Sequence, residues 1–540
     1  MVLVMITSLA ACNGGTNQSA STTQPDTSAA QQTQSDNTAG GSSSTVVDSV
    51  SFGLKNASWD LSPWKNNGSS GNAIWTLLYS GLVANPGFGT PLAGMQNDMA
   101  ESVVFSADNL TATVKLRDYI HDSQGNPIKA QDVVFSYQKA PQVSGVYAKI
   151  GTLLDSITAT DDYTVELTTK SVTPGTWEIL LSNCPVVSQS WYEGASADDL
   201  SNNPATTSAY MVKENVPGTS VTLQAVDNFW QKDELRTIYE TVNARTIHFV
   251  AISENSMRVI ALQNEDLDAA FVENTDYNMF SSDANFNLFQ FNMTQPTTFL
   301  FNCSAGSVFN DNINLRLAIL HAIDFQQVRI ATTGDFGSQG HDVAPIICGD
   351  YDKAWDSQPY FDYDLNAAKD YMAQAGYDAG NSGLTLHFMC RNIGPQVAGA
   401  TVIQSCLKDI GINVLIDSYD QGLFDTYTAD PAQWDMVWYS ANMSSGFITE
   451  AWDFYFGSRG DQGTVGFVID PQLQQLLNAA KTSNDDAARN AFRDYELQQA
   501  YAANMFNETN ILAARKEITG ISYNFLFGPC VNTITVSSAF

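Results

Sequence analysis

Ser136 stands three residues ahead of Lys139, and Ser405 three ahead of Lys408. A lysine amine can take the proton of a nearby serine hydroxyl, so this spacing suits acyl transfer through a serine nucleophile. Both pairs sit inside segments with apolar residues at helical spacing, where positions three apart share a face for packing reasons alone. Recurrence of the spacing within one chain shows how little it discriminates. No HExxH, GxSxG or GxxxxGK is present, so zinc-protease, nucleophile-elbow and phosphate-cradling chemistry lack their residues. Paired carboxylates such as Asp362 and Asp364 are the tools of glycoside hydrolysis, but a chain with 57 acidic residues holds many such pairs by number alone. A secreted hydrolase stands as the second reading, and turnover separates it: a binding protein returns its ligand unchanged.

Metal ligation fares no better. His121, His248, His321, His341 and His387 each lack a second His or Cys three or four residues away on a plausible helix. Cys390 follows His387 by three, but "LTLHFMC" alternates like a strand and sends the two to opposite faces. No metal site and no cofactor is expected.

Cys12 is different. It closes Leu9-Ala10-Ala11-Cys12, and from Asn13 to Ser44 the chain has no Leu, Ile, Val, Phe, Tyr or Trp. Such a composition buries too little apolar surface to offset ordering entropy, so 13–46 is expected to be a disordered tether. A tether implies an attachment, and the thiol at its head is the candidate. Leu9–Cys12 resembles the lipobox of bacterial lipoproteins, in which the signal is cut before a Cys whose thiol carries a diacylglycerol. The resemblance implies that 1–12 is a signal remnant ending at a lipidated Cys12. The apolar run before it is shorter than the about 20 residues a bilayer span requires. A net charge of −32, from 57 acidic and 25 basic residues, argues against nucleic acid and suits a self-repelling extracytoplasmic surface. The other cysteines, at 184, 303, 348, 390, 406 and 530, show no zinc spacing and read as scattered core thiols, with one bridge left open.

Roughly 490 residues follow the tether, too many for one core, so two or three domains are expected. No second low-complexity linker separates them. "TATVKLRD" (111–118) and "DDYTVELTT" (161–169) alternate with period two and predict strands. "AQDVVFSYQKA" (130–140) places Val133, Val134 and Tyr137 at helical spacing after the turn cluster "DSQGNP" (122–127). Amphipathic helices are predicted over 311–324 and 364–377, the second closed by Gly376. Segment 397–420 predicts a helix, a stop at Gly411, then a strand. The class is α/β.

In this order, these segments resemble the family 5 extracellular solute-binding proteins of ABC transporters, which include dipeptide-, oligopeptide- and nickel-binding members. The most specific stretch is "MAESVVFSADNLTATVKLRDYIHDSQGNPIKAQDVVFSY" (99–137). "LYSGLV" (78–83), "VTLQAVDNFW" (221–230), "ALQNEDLDAAF" (261–271, with Asn264 in the usual Gly place), "FLFNCSAGSVFNDNINLRLAILHAID" (299–324), "YDLNAAKDYMAQAGY" (363–377) and "LKDIGINVLID" (407–417) follow the family order.

The resemblance implies a two-lobed periplasmic-binding-protein-like fold with a hinged ligand cleft. The first lobe would span 47–297 plus 500–540, with an inserted subdomain at about 76–189, and the second 298–499. Crossings are expected near 295–300 and 498–503. The implied function is capture of an oligopeptide or similar polar solute for an ABC permease, by a monomer anchored at the outer face of a bacterial membrane. A nickel-type complex is the family's alternative ligand. Cleft residues would include Trp75, Tyr79, Phe301, Asn302, Trp438 and Tyr439, the last two because the family places a ligand-contacting loop there. In peptide-binding relatives, a Trp-x-Ala-Asp loop supplies an aspartate to the peptide ammonium. Here that position falls on Asn442 with a two-residue deletion, or on Ser444 without one. Both are uncharged, so a cleft of aromatic and neutral contacts is expected, indifferent to a blocked peptide amine.

Overall fold

Two long strands organise the molecule. Phe286–Phe301 leads from the first lobe to the second, and Ala502–Arg515 returns beside it in antiparallel register. The structure is a computed structural model that describes residues 46–536, apart from 66, 67, 88, 145, 146, 335, 441, 442, 444, 445, 483, 484 and 525–527. Cys12, nearly all of the expected tether, Asn442 and Ser444 lie outside the described residues.

Eight strands of the largest sheet extend from this pair on its two sides, and the short Ser338–Gln339 also pairs with the return strand. On one side Ala269–Val272, Val47–Leu54, Ala244–Ala251, Ser220–Ala225 and Tyr210–Val216 follow the return strand; on the other Met436–Tyr439, Thr385–Arg391 and Asn413–Tyr419 follow the outbound one. Val47–Leu54 is parallel to both Ala244–Ala251 and Ala269–Val272. Thr385–Arg391 is parallel to both Asn413–Tyr419 and Met436–Tyr439. Parallel neighbours need crossover connections, and the helices Asn255–Gln263, Gly394–Lys408 and Gln421–Thr428 supply them.

Two main hydrophobic cores result. One gathers Phe52, Phe249, Phe291 and Leu512; the other gathers Phe299, Phe388, Trp438, Trp452 and Phe506. The outbound strand therefore changes core between Phe291 and Phe299, where the ladder slips in register between Asn292 and Thr298. Pro296 sits in that slip and has no N–H to offer a ladder. The return strand changes core between Phe506 and Ile511, later than the expected 498–503, because Ala500 to Phe506 pack into the second core.

The segment expected as an inserted subdomain carries its own antiparallel sheet, in the order Ala100–Phe105, Thr111–Leu116, Thr164–Thr169, Leu154–Asp161. Asp132 explains part of the 99–137 pattern. It accepts from the Lys129 N–H at the start of helix Ala130–Val143, at 2.7 Å, and from the Gln189 N–H at 2.8 Å. One carboxylate thus caps a helix and ties down a distant loop. The other predicted elements form as Ile313–Ala322, Leu365–Gln374 and Gly394–Lys408 followed by Asn413–Tyr419. Gly411 has φ 74°, and a Cβ there would meet the Ala379 carbonyl at 2.8 Å.

A buried ion pair lies inside the second core. Arg493 Nε is 3.5 Å from Asp342 Oδ2, while Trp452 and the Ala344 N–H donate to Asp342 Oδ1 at 2.8 and 2.7 Å. Burial outweighs these partners and raises the Asp342 pKa from 3.8 to about 6. In that interval the folded chain keeps a proton that the unfolded chain has released. The residue's contribution to stability is therefore full below about pH 4 and lost as pH rises through about 6, a change of about 3 kcal/mol. Asp342→Asn cannot ionise, and is expected to flatten this part of the stability profile in urea titrations. An unchanged profile would contradict a titrating Asp342.

Candidate functional site

Side chains just beyond the carboxyl ends of parallel strands face the crevice that the crossover loops leave open. Both lobes place unusual residues there. Lys55 follows Val47–Leu54 and Glu273 follows Ala269–Val272 in the first lobe; Arg391, Tyr419 and Tyr439 end the three parallel strands of the second. Glu508 projects from the return strand between Asn507, whose Cα partner is Pro296, and Thr509, whose partner is Asn292. It stands at the crossing itself.

Electrostatics join these groups. The Glu508 carboxyl is raised above its ordinary value by burial, and the charges of Arg391, from the second lobe, and Lys55, from the first, act against that rise. Lys55 reaches water, yet the surrounding walls and the Arg258 charge pull its pKa below the ordinary lysine value, while Glu273 and Glu508 oppose this. Its ammonium lies 5.3 Å from the centroid of the Phe271 ring, in cation–π range. Arg258 itself is fastened, donating to the carbonyls of Phe271, Ile252 and Ser253. Arg391 Nη1 makes only a long contact with Gln421, 3.5 Å.

Aromatic walls flank the charges. Tyr523 meets Phe271 edge-on at 6.1 Å and stacks on Phe291 at 4.8 Å. Across the crossing Tyr439 is half-buried, 6.1 Å from the Phe424 ring and 5.9 Å from Phe454. A crevice with ring faces and a few converging charges is suited to holding a polar organic molecule.

Of the residues picked from the sequence, Tyr439 falls in this neighbourhood. Trp438, its neighbour, points into the second core against Phe506, 6.0 Å away, and fits only because position 399 is glycine: a Cβ there would meet its ring at 2.7 Å. Phe301 is wholly buried. Asn302 donates from Nδ2 to the carbonyls of Pro431 and Trp434, each at 2.7 Å, and so fastens a loop. Trp75 and Tyr79 are buried with their polar atoms bonded to the carbonyls of Ser62 and Leu61. The cavity they line with Ser80 and Asp98 is about 40 Å3, room for water and not for an organic solute. Lys55, Arg391 and Glu508 were not among the residues picked. Their signal was present: a cation directly after an apolar strand is uncommon with 25 basic residues in the chain, and Glu508 is the single acid in "AANMFNETNILAAR".

The residues weighed for other chemistries are placed as follows. Ser136 donates to the Asp132 carbonyl at 2.7 Å, and Ser405 is exposed on its helix. His387 pairs with Asp417 at 2.7 Å, and among the described residues no group of three His, Cys, Asp or Glu could hold a metal ion. Among the described residues no two cysteines form a disulfide.

The lobes also touch away from the crossing. Gly89 of the first packs backbone to backbone on Gly349 and Gly446 of the second, and a Cβ on Gly89 or Gly349 would collide with the facing main chain. Beside this contact lies a cavity of about 460 Å3, bounded by Leu92, Pro174 and Glu178 on one side and Asp350, Phe447 and Arg489 on the other.

Comparison with known proteins agrees with this architecture. Residues 94–463, more than half of the chain, match the bacterial extracellular solute-binding proteins, family 5 Middle. The oligopeptide-binding protein OppA of Bacillus subtilis is 23% identical over 486 residues, covering 82% of this chain and 83% of OppA. Two crystal structures superpose on 91% of this chain and 100% of their own. A putative peptide binding protein AppA from Clostridium difficile has a TM-score of 0.76 at 17% identity. The ABC transporter substrate binding protein CtaP from Listeria monocytogenes has a TM-score of 0.77 at 18% identity. The chain therefore belongs to family 5 of the bacterial extracellular solute-binding proteins, and is a two-lobed, extracytoplasmic solute-binding component of an ABC importer.

Proposed function

We propose that the solute is a peptide or a closely related polar organic molecule, held at the strand crossing and released to the permease of the importer. The observation that carries this reading is the convergence of Lys55, Arg391 and Glu508 between ring-lined walls from the two lobes. A monosaccharide would use the rings but bring no charge to Lys55, Arg391 or Glu508. A hydrophobic solute would do the same. A peptide brings charge of both signs and a backbone rich in donors and acceptors. The relationship to OppA, an oligopeptide-binding protein, points the same way.

Binding works by closure in this reading. A solute favours the closed arrangement only through its greater affinity for it, and a micromolar solute has about 8 kcal/mol of standard binding free energy to divide between contacts and closure. The glycine contact between Gly89 and Gly349 sets how near the lobes can come. Mass spectrometry of the solute extracted from protein purified without refolding is expected to find peptides. Finding a sugar or a nickel complex instead would overturn the peptide reading.

The lipid anchor at Cys12 belongs to the same proposal. It rests on the Leu9–Cys12 pattern and the polar stretch after it. A Cys12→Ala chain is expected in the culture medium with its solute affinity intact; retention at the membrane would contradict the anchor.

A further inference from the structure

Asp98 and Glu240 form a carboxyl pair sealed inside the first lobe, 3% and 0% exposed. Ser80 Oγ donates to Glu240 Oε1 at 3.3 Å, and the Thr237 N–H donates to Oε2 at 2.9 Å. Asp98 lines the cavity of about 40 Å3 with that same Ser80, and its carboxyl faces Glu240, Ser80 and the Gly81 N–H. Asp98 Oδ1 is buried and has no hydrogen-bond partner among the described residues. No cation offsets the two acids. Arg117 reaches only the Asp98 carbonyl, at 2.9 Å, and Arg236 turns to Asp233. Tyr79 and Tyr239, the other titratable groups on the cavity, donate their hydroxyls to the carbonyls of Leu61 and Asn85. Burial raises the pKa of both acids, and Glu240 raises that of Asp98 further. Two facing carboxylates withdrawn from water repel each other, whereas one proton between them makes a charge-assisted hydrogen bond.

The pair sits at the root of a hairpin. Ser80 and Gly81 lead into its first strand, Val83–Ala84, and Asp98 follows its second, Gln96–Asn97. Gly89, in the loop between them, makes the backbone contact with Gly349 and Gly446 of the second lobe. The segment that carries Glu240 grips the stem at two further points. The Tyr239 hydroxyl donates to the Asn85 carbonyl at 2.5 Å, and the Ile238 N–H to Gln96 Oε1 at 3.3 Å.

We infer that Asp98 and Glu240 share one proton, and that this proton fixes the root of the hairpin whose loop meets the second lobe, which makes the contact between the lobes sensitive to pH. When the proton leaves, two carboxylates repel across Ser80 and the hairpin works loose from Ile238–Glu240. A detached hairpin has its carboxyl in water and gives the proton up at an ordinary carboxyl pKa. The stabilisation is therefore full below about pH 4 and lost as pH rises through the raised values of the docked pair.

Hydrogen–deuterium exchange of the full chain without solute, between about pH 5 and 9 and corrected for intrinsic exchange, tests this. The amides to follow are those of Asp98 and Met99, which donate to the carbonyls of Leu82 and Gly81, read against the amides of strand Val47–Leu54. In the wild type their relative protection should fall at least about tenfold over this range, at up to about tenfold per pH unit for one linked proton. Asp98→Asn, neutral at every pH and still able to donate to Glu240, should hold it constant, and so should Glu240→Gln. Wild-type protection that does not fall would overturn the inference, and so would an equal fall in Asp98→Asn. The wild-type measurement alone can refute the shared proton, so a variant that fails to fold does not protect it. No solute enters the experiment, and its failure leaves the peptide reading standing.

Discussion

The hydrogen-bonded pairing of the outbound and return strands is the constraint on which everything else depends. The chain crosses between its two main cores twice, and both crossings lie in one ladder. Sheet order, lobe packing and the position of the crevice follow from where that ladder changes core. Its register slip between Asn292 and Thr298, with Pro296 inside it, is the place where pairing is weakest and the backbone most easily bent. A hinge built from two adjacent strands lets each lobe move as a body while keeping the rings and charges at their strand ends in fixed relation to their own lobe.

The same geometry resolves an electrostatic puzzle. A chain of net charge −32 ought to repel anionic groups, and its surface does. At the crossing, Lys55 and Arg391 come from strands more than three hundred positions apart in sequence and stand near the acids Glu508 and Glu273.

Much of this was legible before the coordinates. Period-two and helical patterns marked the strands around Val114 and Val165 and the helices around Val133 and Leu315, because local burial sets local periodicity. The signature Asp132 was recognisable, though its double duty as helix cap and loop tie was not, since Gln189 is a long-range partner. The return crossing was placed too early because Ala500 to Phe506 read as plain strand, and which core a strand enters is decided by its neighbours. Aromatic residues near a presumed cleft were a poor guide. Trp75, Tyr79, Phe301 and Trp438 are buried, and a ring's type does not say which face of a strand it occupies. An acid inside a long apolar strand and a cation at a strand's end have little structural reason to be there.

Hinged closure on the crevice is tested most directly by small-angle scattering of the wild type and Gly349→Val, each with and without the solute extracted from native protein. The wild type should shrink in radius of gyration on binding. Gly349→Val, whose side chain would collide with the main chain of Gly89, should shrink less and bind more weakly. A wild-type radius that does not change on saturation, or a valine variant that closes as fully as the wild type, would contradict closure of the lobes to this glycine contact.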